Sequence, residues 1–351
     1  MTTAATGARR PFGAGPPTLA DIGEAELLRR LVEAARTEPG GGTGLVVESG
    51  DDAAVWRVPE GAEVVLSQDA IVEGEDFRRD WTDPESVGER ALQVALSDLA
   101  AMGALPRLCL VTLCAPADTA AADLLAIQRG LCAAASATGC RVAGGDVSAI
   151  AGPLVVDVAV VGVVAPGRAL RRDRGRPGDA LVVTGTLGGA AGGLRLLSAG
   201  LDVPAPVAER WLSRQLHPVA RLAEGRALAE RGVACAGDLS DGLLVDVARI
   251  ADASGCGAEL WLDALPCDPD LPRHLGAAWV EAALGGGEDF ELLAAVSAEQ
   301  LAGLLAGWPS DLRPLRVVGR LDGGPGVRLR GREGGAALPL PAVLSRHFRH
   351  R

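Results

Sequence analysis

Acidic side chains recur beside glycine or serine where apolar runs of the sequence end. The instances are Gly50-Asp51-Asp52, Ser67-Gln68-Asp69, Ser97-Asp98, Gly144-Gly145-Asp146 and Asp238-Leu239-Ser240-Asp241-Gly242. Sheet proteins build ligand sites at the ends of strands, and glycine lets the backbone approach a ligand closely. Carboxylates gathered at one place raise one another's pKa unless cations neutralise them. Because Mg²⁺ prefers oxygen ligands and shares them with phosphates, the pattern favours magnesium-assisted phosphate chemistry.

The same residues are also typical of turns and helix caps, which is the alternative for each of them. Asp98 differs because it falls inside a predicted helix, where an unpaired buried carboxylate costs several kcal/mol. A solvated helix face remains the alternative there. Asp238 ends a predicted strand, and Asp241 lies in the first turn of the helix that follows. A helix-capping role therefore explains the presence of one of these two aspartates more readily than the presence of both.

Two glycine-rich turns, at residues 144–146 and 184–189, follow apolar strands. Such turns expose backbone N–H groups to anions, although many are only loops. Five arginines lie between them along the chain and are suited to clamping phosphate, or else form a charged linker: Arg168, Arg171, Arg172, Arg174 and Arg176. The four histidines show no metal spacing, and no local Ser-His-Asp or Cys-His signature indicates acyl transfer.

Periodicity and turn residues place these motifs on an α+β framework. In the first half we predict helices at 24–36, 84–102 and 118–138, and strands at 45–48, 53–58, 63–67, 108–113, 141–143 and 154–164. In the second half we predict helices at 190–198, 219–231 and 240–253, and strands at 180–184, 234–238, 258–262, 290–296 and 315–319.

The length of 351 residues favours two domains over one compact core. The charged segment 167–179, punctuated by glycine and proline, is the predicted boundary. We therefore expect a flexible tail at 1–19, an N-terminal domain at 20–166 and a C-terminal domain at 167–351.

Composition excludes several classes of function. Every one of the 34 basic residues is arginine, so a Walker-A loop, a protein-kinase strand lysine and a pyridoxal Schiff base are all impossible. A net charge of −11 makes nucleic acid an improbable main partner. The seven cysteines form no C-x-x-C pair, and neither a signal peptide nor a membrane span is predicted. We expect a cytoplasmic protein that does not engage membranes.

Seven short motifs follow one another in a characteristic order between about residues 20 and 320. They are SGDDAAV (49–55), SQDAIVEGEDF (67–77), LSDLAAMGA (96–104), GGD (144–146), TGTLG (184–188), DLSDGL (238–243) and GGEDFEL (286–292). Together they resemble the thiamine-monophosphate kinase family, a branch of the aminoimidazole ribonucleotide synthetase-like superfamily. The resemblance implies two α+β domains with mixed sheets flanked by helices, a homodimer paired through the N-terminal domains, and ATP-dependent phosphorylation of thiamine monophosphate to thiamine diphosphate.

The resemblance also implies residue roles. Magnesium ligands fall on Asp52, Ser67, Gln68 (through its main chain), Asp69, Asp98, Asp146, Asp238 and Asp241, with Asp98 and Asp241 central to catalysis. Nucleotide contacts fall on Gly145, Asp146, Arg172 and Ser240, and substrate contacts on Asp76 and Glu288. The family mechanism is direct, in-line phosphoryl transfer without a phosphoenzyme, assisted by several Mg²⁺ ions.

Two positions depart from the family pattern, and both concern the acceptor. Asp76 stands where the family usually has a histidine near the substrate phosphate, and a carboxylate there repels phosphate unless a metal or Arg78 intervenes. Ser345 stands where the family usually has an aromatic residue that packs on the substrate. The alternatives are a superfamily phosphotransferase acting on another small phosphate ester and a degenerate nucleotide-binding protein without turnover.

Overall fold

A computed structural model describes residues 11–13, 15, 17–36, 44–49 and 51–341 of the chain. These described residues fall into two compact units, the first comprising those up to residue 96 and residues 106–163, the second residues 97–105 and those from residue 164 onward. The second unit is therefore discontinuous in sequence. Much of the expected tail, and the acceptor position Ser345, lie outside the described residues. The domain limits predicted above, 20–166 and 167–351, stay a prediction.

The first unit contains a four-stranded sheet, a two-stranded sheet and most of the first four helices. Its helices are α1 (Leu19–Ile22), α2 (Glu24–Arg36), α3 (Pro84–Ala101), whose last five residues belong to the second unit, and α4 (Ala121–Thr138). Its strands are β1 (Leu45–Val47), β2 (Val55–Trp56), β3 (Glu63–Val72), β4 (Leu105–Ala115), β5 (Arg141–Ala149) and β6 (Val155–Val164).

The four-stranded sheet has the order β3-β6-β4-β5, so β3 and β5 are its two edges. Strand β5 runs parallel to β4 and pairs Gly145 with Val111 and Asp146 with Thr112. The GGD motif was expected to follow a short strand and instead lies within a longer one, because pairing with β4 continues past the two glycines. Ser67 and Asp69 likewise lie inside β3, which continues to Val72. The sequence around residues 67–69 and 144–146 does not show which strand each segment pairs with, so the full length of these strands could not be predicted from it.

Helices α3 and α4 pack without side chains between them at two points. A Cβ atom at Gly88 would lie 1.9 Å from the Ile127 carbonyl oxygen, and one at Gly130 would lie 1.9 Å from the Glu85 carbonyl oxygen. Only glycine fits at these positions, because such distances are far inside van der Waals contact. The two glycines thus fix the close approach of the helix that carries the LSDLAAMGA motif to its neighbour.

The second unit surrounds a seven-stranded sheet with helices. Its strands are β7 (Ala180–Thr184), β8 (Cys235–Asp238), β9 (Gly257–Trp261), β10 (Leu292–Val296), β11 (Leu315–Asp322), β12 (Val327–Arg330) and β13 (Ala337–Leu338). Its helices are α5 (Gly189–Ala199), α6 (Ala205–Leu216), α7 (Leu222–Glu230), α8 (Leu243–Ala253), α9 (Leu271–Leu275), α10 (Trp279–Gly285) and α11 (Ala298–Ala306).

This sheet has the order β13-β12-β9-β11-β7-β10-β8 and is mixed, since β12 runs parallel to β9. Alternate residues of its central strands enter two different apolar clusters. Leu181 and Val183 of β7 pack with α8, whereas Val182 packs with α7 and with the end of α3. Both faces of the sheet are therefore covered, which explains why these strands read as continuous apolar runs.

The predicted α+β class with mixed sheets and flanking helices is confirmed. The predicted helix at 24–36 matches its observed bounds, and the predicted helix at 84–102 ends one residue earlier. Helices α1, α6, α9, α10 and α11 and strands β12 and β13 were not predicted. Within the described residues, no helix combines the length and apolarity that crossing a membrane requires.

Replacement of Gly130 by alanine tests the α3–α4 packing. We expect Gly130→Ala to lower the free energy of unfolding by about 1–3 kcal/mol, because the added methyl forces the helices apart. Urea denaturation followed by circular dichroism measures this loss. Gly303→Ala in α11 is the control, since a Cβ there meets no atom within 4 Å. It should be neutral or stabilising by up to about 1 kcal/mol; equal losses in both variants would contradict the packing argument.

Candidate functional site

Several predicted residues of the first unit line one cavity of about 800 Å³. Asp51 and Asp52 reach it from the segment after β1, and Gly145 and Asp146 reach it from β5. Apolar side chains of α2, such as Leu28 and Leu31, form another part of its lining. An apolar cavity with a few carboxylates at its wall is the form that small-molecule sites commonly take.

Gly145 brings its backbone directly against strand β4. Its φ is +158°, and a Cβ there would lie 1.9 Å from the Val111 carbonyl oxygen. Any side chain would push β5 away from β4, and both strands line the cavity. The glycine therefore maintains both the strand pairing and the exposed position of the Asp146 side chain next to it.

Strand β3 separates its predicted ligands by alternation of its side chains. Ser67 and Asp69 are half-buried on one face of the strand, whereas Gln68 is exposed on the other. The Gln68 amide donates to the Asp157 carboxylate on β6 at 2.5 Å. Ser67 and Asp69 do not line the cavity, because β3 and β5 form opposite edges of the sheet. The first unit thus groups Asp52 with Asp146 and leaves β3 apart.

Asp76 has a local structural contact. Its carboxylate accepts the backbone N–H of Val72 at 2.8 Å, at the turn that follows β3. Arg78, considered from sequence as a possible neighbour, pairs with Asp80 at 2.8 Å. The departure at Asp76 from the family pattern is accordingly a turn-stabilising carboxylate in this structure.

In the second unit, Asp238 is buried at the end of β8, with 3% of its surface exposed. One carboxylate oxygen, Oδ2, accepts the Ser97 hydroxyl of α3 at 2.8 Å. The other oxygen, Oδ1, has no hydrogen-bond partner among the described residues, and the Arg172 guanidinium lies 3.6 Å away. Burial, and then the negative charge of Asp98, raise the pKa of Asp238 above its ordinary value. Three predicted residues, Asp98, Asp238 and Arg172, therefore lie together.

Asp241 is held by two residues of helix α8 that sequence reasoning did not single out. Its N–H donates to the buried Asp246 carboxylate at 3.1 Å, and its own carboxylate pairs with Arg249. Arg249 also pairs with Asp246 at 2.7 Å. Burial, followed by repulsion from Asp238 and Asp241, raises the pKa of Asp246 to about 7. The signal in the sequence was an acid in the first turn of α8, which capping alone also explains.

The GGEDFEL segment is joined to the DLSDGL segment by backbone hydrogen bonds. The Glu288 N–H donates to the Ser240 carbonyl at 2.8 Å, and the Phe290 N–H to the Leu239 carbonyl at 3.0 Å. Glu288 (φ +58°) and Phe290 (φ +47°) are the only non-glycine residues with positive φ in the part of the chain that the structure describes. Such strain costs about 1–3 kcal/mol per residue and concentrates at functional sites.

Asp289 connects the same segment to the TGTLG turn. Its carboxylate accepts the Gly188 N–H at 2.6 Å and the Ala190 N–H at 3.3 Å, at the start of α5. Gly188 has φ +83°, which favours glycine at this turn. Burial raises the pKa of Asp289 to about 7, against the lowering effect of these two amides.

Glu291, in the GGEDFEL segment, takes part in a buried ion pair. Glu291 is fully buried and receives Arg221 through two hydrogen bonds of 2.8 Å, together with the Thr184 hydroxyl at 2.7 Å. Arg214 adds a third cationic contact at 3.1 Å. Removing one partner of such a pair leaves a buried charge uncompensated. These contacts therefore hold the GGEDFEL segment in place against Thr184, Arg214 and Arg221.

The predicted metal ligands would all offer oxygen atoms, which suits a hard cation such as Mg²⁺. One of these atoms, Asp238 Oδ1, is buried and makes no hydrogen bond within the described residues. Among the described residues, no group of three or more His, Cys, Asp or Glu side chains is close enough to hold a metal by itself.

Comparison with family models matches both units. Residues 50–164 match the AIR synthase related protein, N-terminal domain, and residues 176–332 match its C-terminal domain. A thiamine-monophosphate kinase from Bacillus subtilis is 36% identical over 253 residues, which is 72% of this chain and 78% of that protein.

Two solved structures have similar folds. The thiamine-monophosphate kinase from Stenotrophomonas maltophilia has a TM-score of 0.77 at 34% identity, covering 86% of this chain and 96% of the other. A structure described as AaThiL complexed with AMPPCP and TMP has a TM-score of 0.70 at 29% identity, covering 89% of this chain and 94% of the other.

The raised pKa of Asp289 predicts a pH-dependent stability. An aspartate in the unfolded chain has a pKa near 3.9. Since the folded-state value is about 7, the stability contributed by the protonated carboxyl is complete below pH about 4 and is lost as the pH rises through about 7. Asp289→Asn should remove roughly 2–4 kcal/mol of that decline between pH 4 and 8.

Urea denaturation at a series of pH values measures this decline. Asp311→Asn, which changes an exposed aspartate of the same unit, is the matched control and should retain the wild-type profile. Identical pH profiles for wild type and Asp289→Asn would contradict the assignment.

Proposed function

This chain belongs to the thiamine-monophosphate kinase family, and on that premise we propose that it transfers the γ-phosphoryl group of ATP to thiamine monophosphate, giving thiamine diphosphate and ADP. The observation that carries the proposal is that Asp98 and Arg172 both lie beside the buried Asp238 carboxylate. The AaThiL structure was solved with AMPPCP and TMP, which supports the same pair of substrate classes for this chain.

We assign the magnesium contacts to the residues expected from sequence. They are Asp52, Ser67, Gln68 through its main chain, Asp69, Asp98, Asp146, Asp238 and Asp241. When bound, Mg²⁺ neutralises charge that develops during transfer and fixes the geometry of the phosphates. The unbonded oxygen of Asp238, and its repulsion from Asp98, support a cation requirement in the second unit.

The nucleotide contacts assigned to this chain are Gly145, Asp146, Arg172 and Ser240. Gly145 leaves its backbone uncovered at the cavity of the first unit, so a phosphate can approach the strand. Arg172 is exposed and, 3.6 Å from Asp238, is not fully engaged by it. Its planar guanidinium suits bidentate contact with a phosphate group.

The transfer itself needs two anions to meet in line. Because both substrates are phosphorylated, chain residues contribute by positioning them and by excluding water, and no side chain has to act as a nucleophile. Asp98 and Asp241 are assigned the central catalytic role. Asp241 is in the same motif as Asp238, and Asp98 lies in the LSDLAAMGA motif, close enough for its charge to act on Asp238. Arg249 and Asp246 hold Asp241 in place from helix α8.

Two carboxylates are assigned to the acceptor, those of Asp76 and Glu288. Asp76 is engaged by the Val72 amide, so its position in the turn is fixed. A superfamily phosphotransferase acting on another small phosphate ester is the second candidate, and the departure at Asp76 is the observation that favours it.

A homodimer and a cytoplasmic location complete the proposal. Strand β3 exposes Val64 at 42% and Leu66 at 70% on one face of an edge strand. Exposed apolar side chains on a sheet edge favour association with another surface. We propose a second copy of this chain, paired through the N-terminal units, as that surface.

The reaction is tested by incubating the purified protein with ATP, Mg²⁺ and thiamine monophosphate and separating the products by chromatography. Asp98→Asn and Asp241→Asn should each lower kcat at least about 100-fold, because each removes a charge that the transition state requires. Asp252→Asn on the exposed side of α8 is the matched control and should retain wild-type turnover. Near-normal rates in the two active-site variants would reject the residue assignment.

The Asp238 carboxylate should lower the stability of the metal-free protein and should be needed for binding of Mg²⁺-ATP. We expect Asp238→Asn to raise the thermal unfolding midpoint in metal-free buffer by a few degrees, because it removes a buried charge repelled by Asp98. The same variant should lose most of the further increase that Mg²⁺-ATP gives the wild type. Differential scanning calorimetry with and without Mg²⁺-ATP measures both effects. An unchanged Mg²⁺-ATP increase in the variant would exclude Asp238 from the metal site.

A further inference from the structure

Glu288 has an unusually fixed backbone. Its φ of +58° places a non-glycine residue in the left-handed region, and its N–H is bonded to the Ser240 carbonyl at 2.8 Å. Strain of this kind persists only where the surroundings over-determine the conformation. The direction in which the Glu288 side chain leaves the main chain is therefore set by the neighbouring DLSDGL segment.

The Glu288 side chain is fixed by a second residue. The Gln215 amide nitrogen, Nε2, lies 2.5 Å from the Glu288 Oε2 atom and donates to it. Gln215 is 5% exposed, on a helix that sequence analysis did not predict. A buried amide aimed at a carboxylate is a charge-assisted hydrogen bond, which is stronger than one between neutral groups.

Helix α6 has little freedom to move Gln215. At Gly193 of α5, a Cβ atom would lie 2.3 Å from the Trp211 carbonyl oxygen and 2.7 Å from the Gln215 Cβ. The residue before Gln215, Arg214, donates to the Thr186 hydroxyl at 3.1 Å and pairs with Glu291. Two consecutive residues of α6 thus hold the TGTLG and GGEDFEL segments.

We propose that Gln215 is a positioning residue that holds the Glu288 carboxylate in the orientation in which it contacts the acceptor. This inference rests on the proposed function, which assigns Glu288 to the acceptor. The hydrogen bond from the Gln215 amide fixes which way the Glu288 carboxylate faces.

The test measures steady-state kinetics of Gln215→Met, which retains length and apolar volume and removes the donor. We expect the KM for thiamine monophosphate to rise about tenfold, with kcat and the KM for ATP within about twofold of wild type. Gln300→Met, which removes the amide that donates to the Gly232 carbonyl elsewhere in the same unit, is the matched control and should leave all three constants unchanged.

A double-mutant comparison keeps the test independent of general damage. If Gln215 acts only through Glu288, then Gln215→Met should add little in a Glu288→Gln background, because the carboxylate to be positioned is already gone. Thermal unfolding of each variant is recorded in parallel. Fully additive effects on the acceptor KM, or equal rises in both substrate KM values, would overturn the inference.

The two levels of the proposal fail differently. A wild-type protein that forms no thiamine diphosphate overturns the proposed function and this inference with it. A wild-type protein that does form it, together with an unchanged acceptor KM in Gln215→Met, overturns the role of Gln215 alone.

Discussion

Burial of the Asp238 carboxylate is the constraint around which the second unit is organised. A charge with 3% of its residue surface exposed is expensive unless neighbours compensate it. Here Ser97 compensates one oxygen, Arg172 approaches the other, and Asp98 adds repulsion instead of relief. Within the part of the chain that the structure describes, the charge of this carboxylate is therefore only partly compensated. The cation proposed for this site would complete that compensation.

The loops around the Asp238 carboxylate are held in place by contacts on two sides. Asp246 and Arg249 fix Asp241 from one side, and the backbone bonds between residues 239–240 and 288–291 fix it from the other. The ion pair of Arg221 with Glu291 holds the second of these segments. Positive φ values at Glu288 and Phe290 are tolerated because these contacts over-determine the backbone. A geometry fixed before substrates arrive is the main contribution a protein makes to phosphoryl transfer.

Local patterns in the sequence were sufficient to predict the α+β class, helix α2 and the position of Asp98 inside a helix, because each depends on neighbours along the chain. They were insufficient for strand β5, whose extension through Gly144 and Gly145 depends on pairing with β4. They also missed Asp246, Arg249 and Gln215, whose roles come from partners brought near by folding. Helix α6 was not predicted, although Val207, Trp211 and Gln215 are buried on one face of it, and two of its residues contact the TGTLG and GGEDFEL segments.

Residues 97–105 belong to the second unit, although the rest of that unit begins only at residue 164. Ser97 supplies the hydroxyl that Asp238 accepts, and the Ala100 carbonyl oxygen lies where any side chain at Gly225 would collide with it. The carboxyl-terminal half on its own would lack both. Recombination that splits the gene near the codon for residue 164 would separate the Ser97 hydroxyl from the Asp238 carboxylate. It would also remove Ala100 and Ala101 from the apolar cluster on one face of the seven-stranded sheet. The carboxyl-terminal half is therefore not expected to be inherited as an independent module.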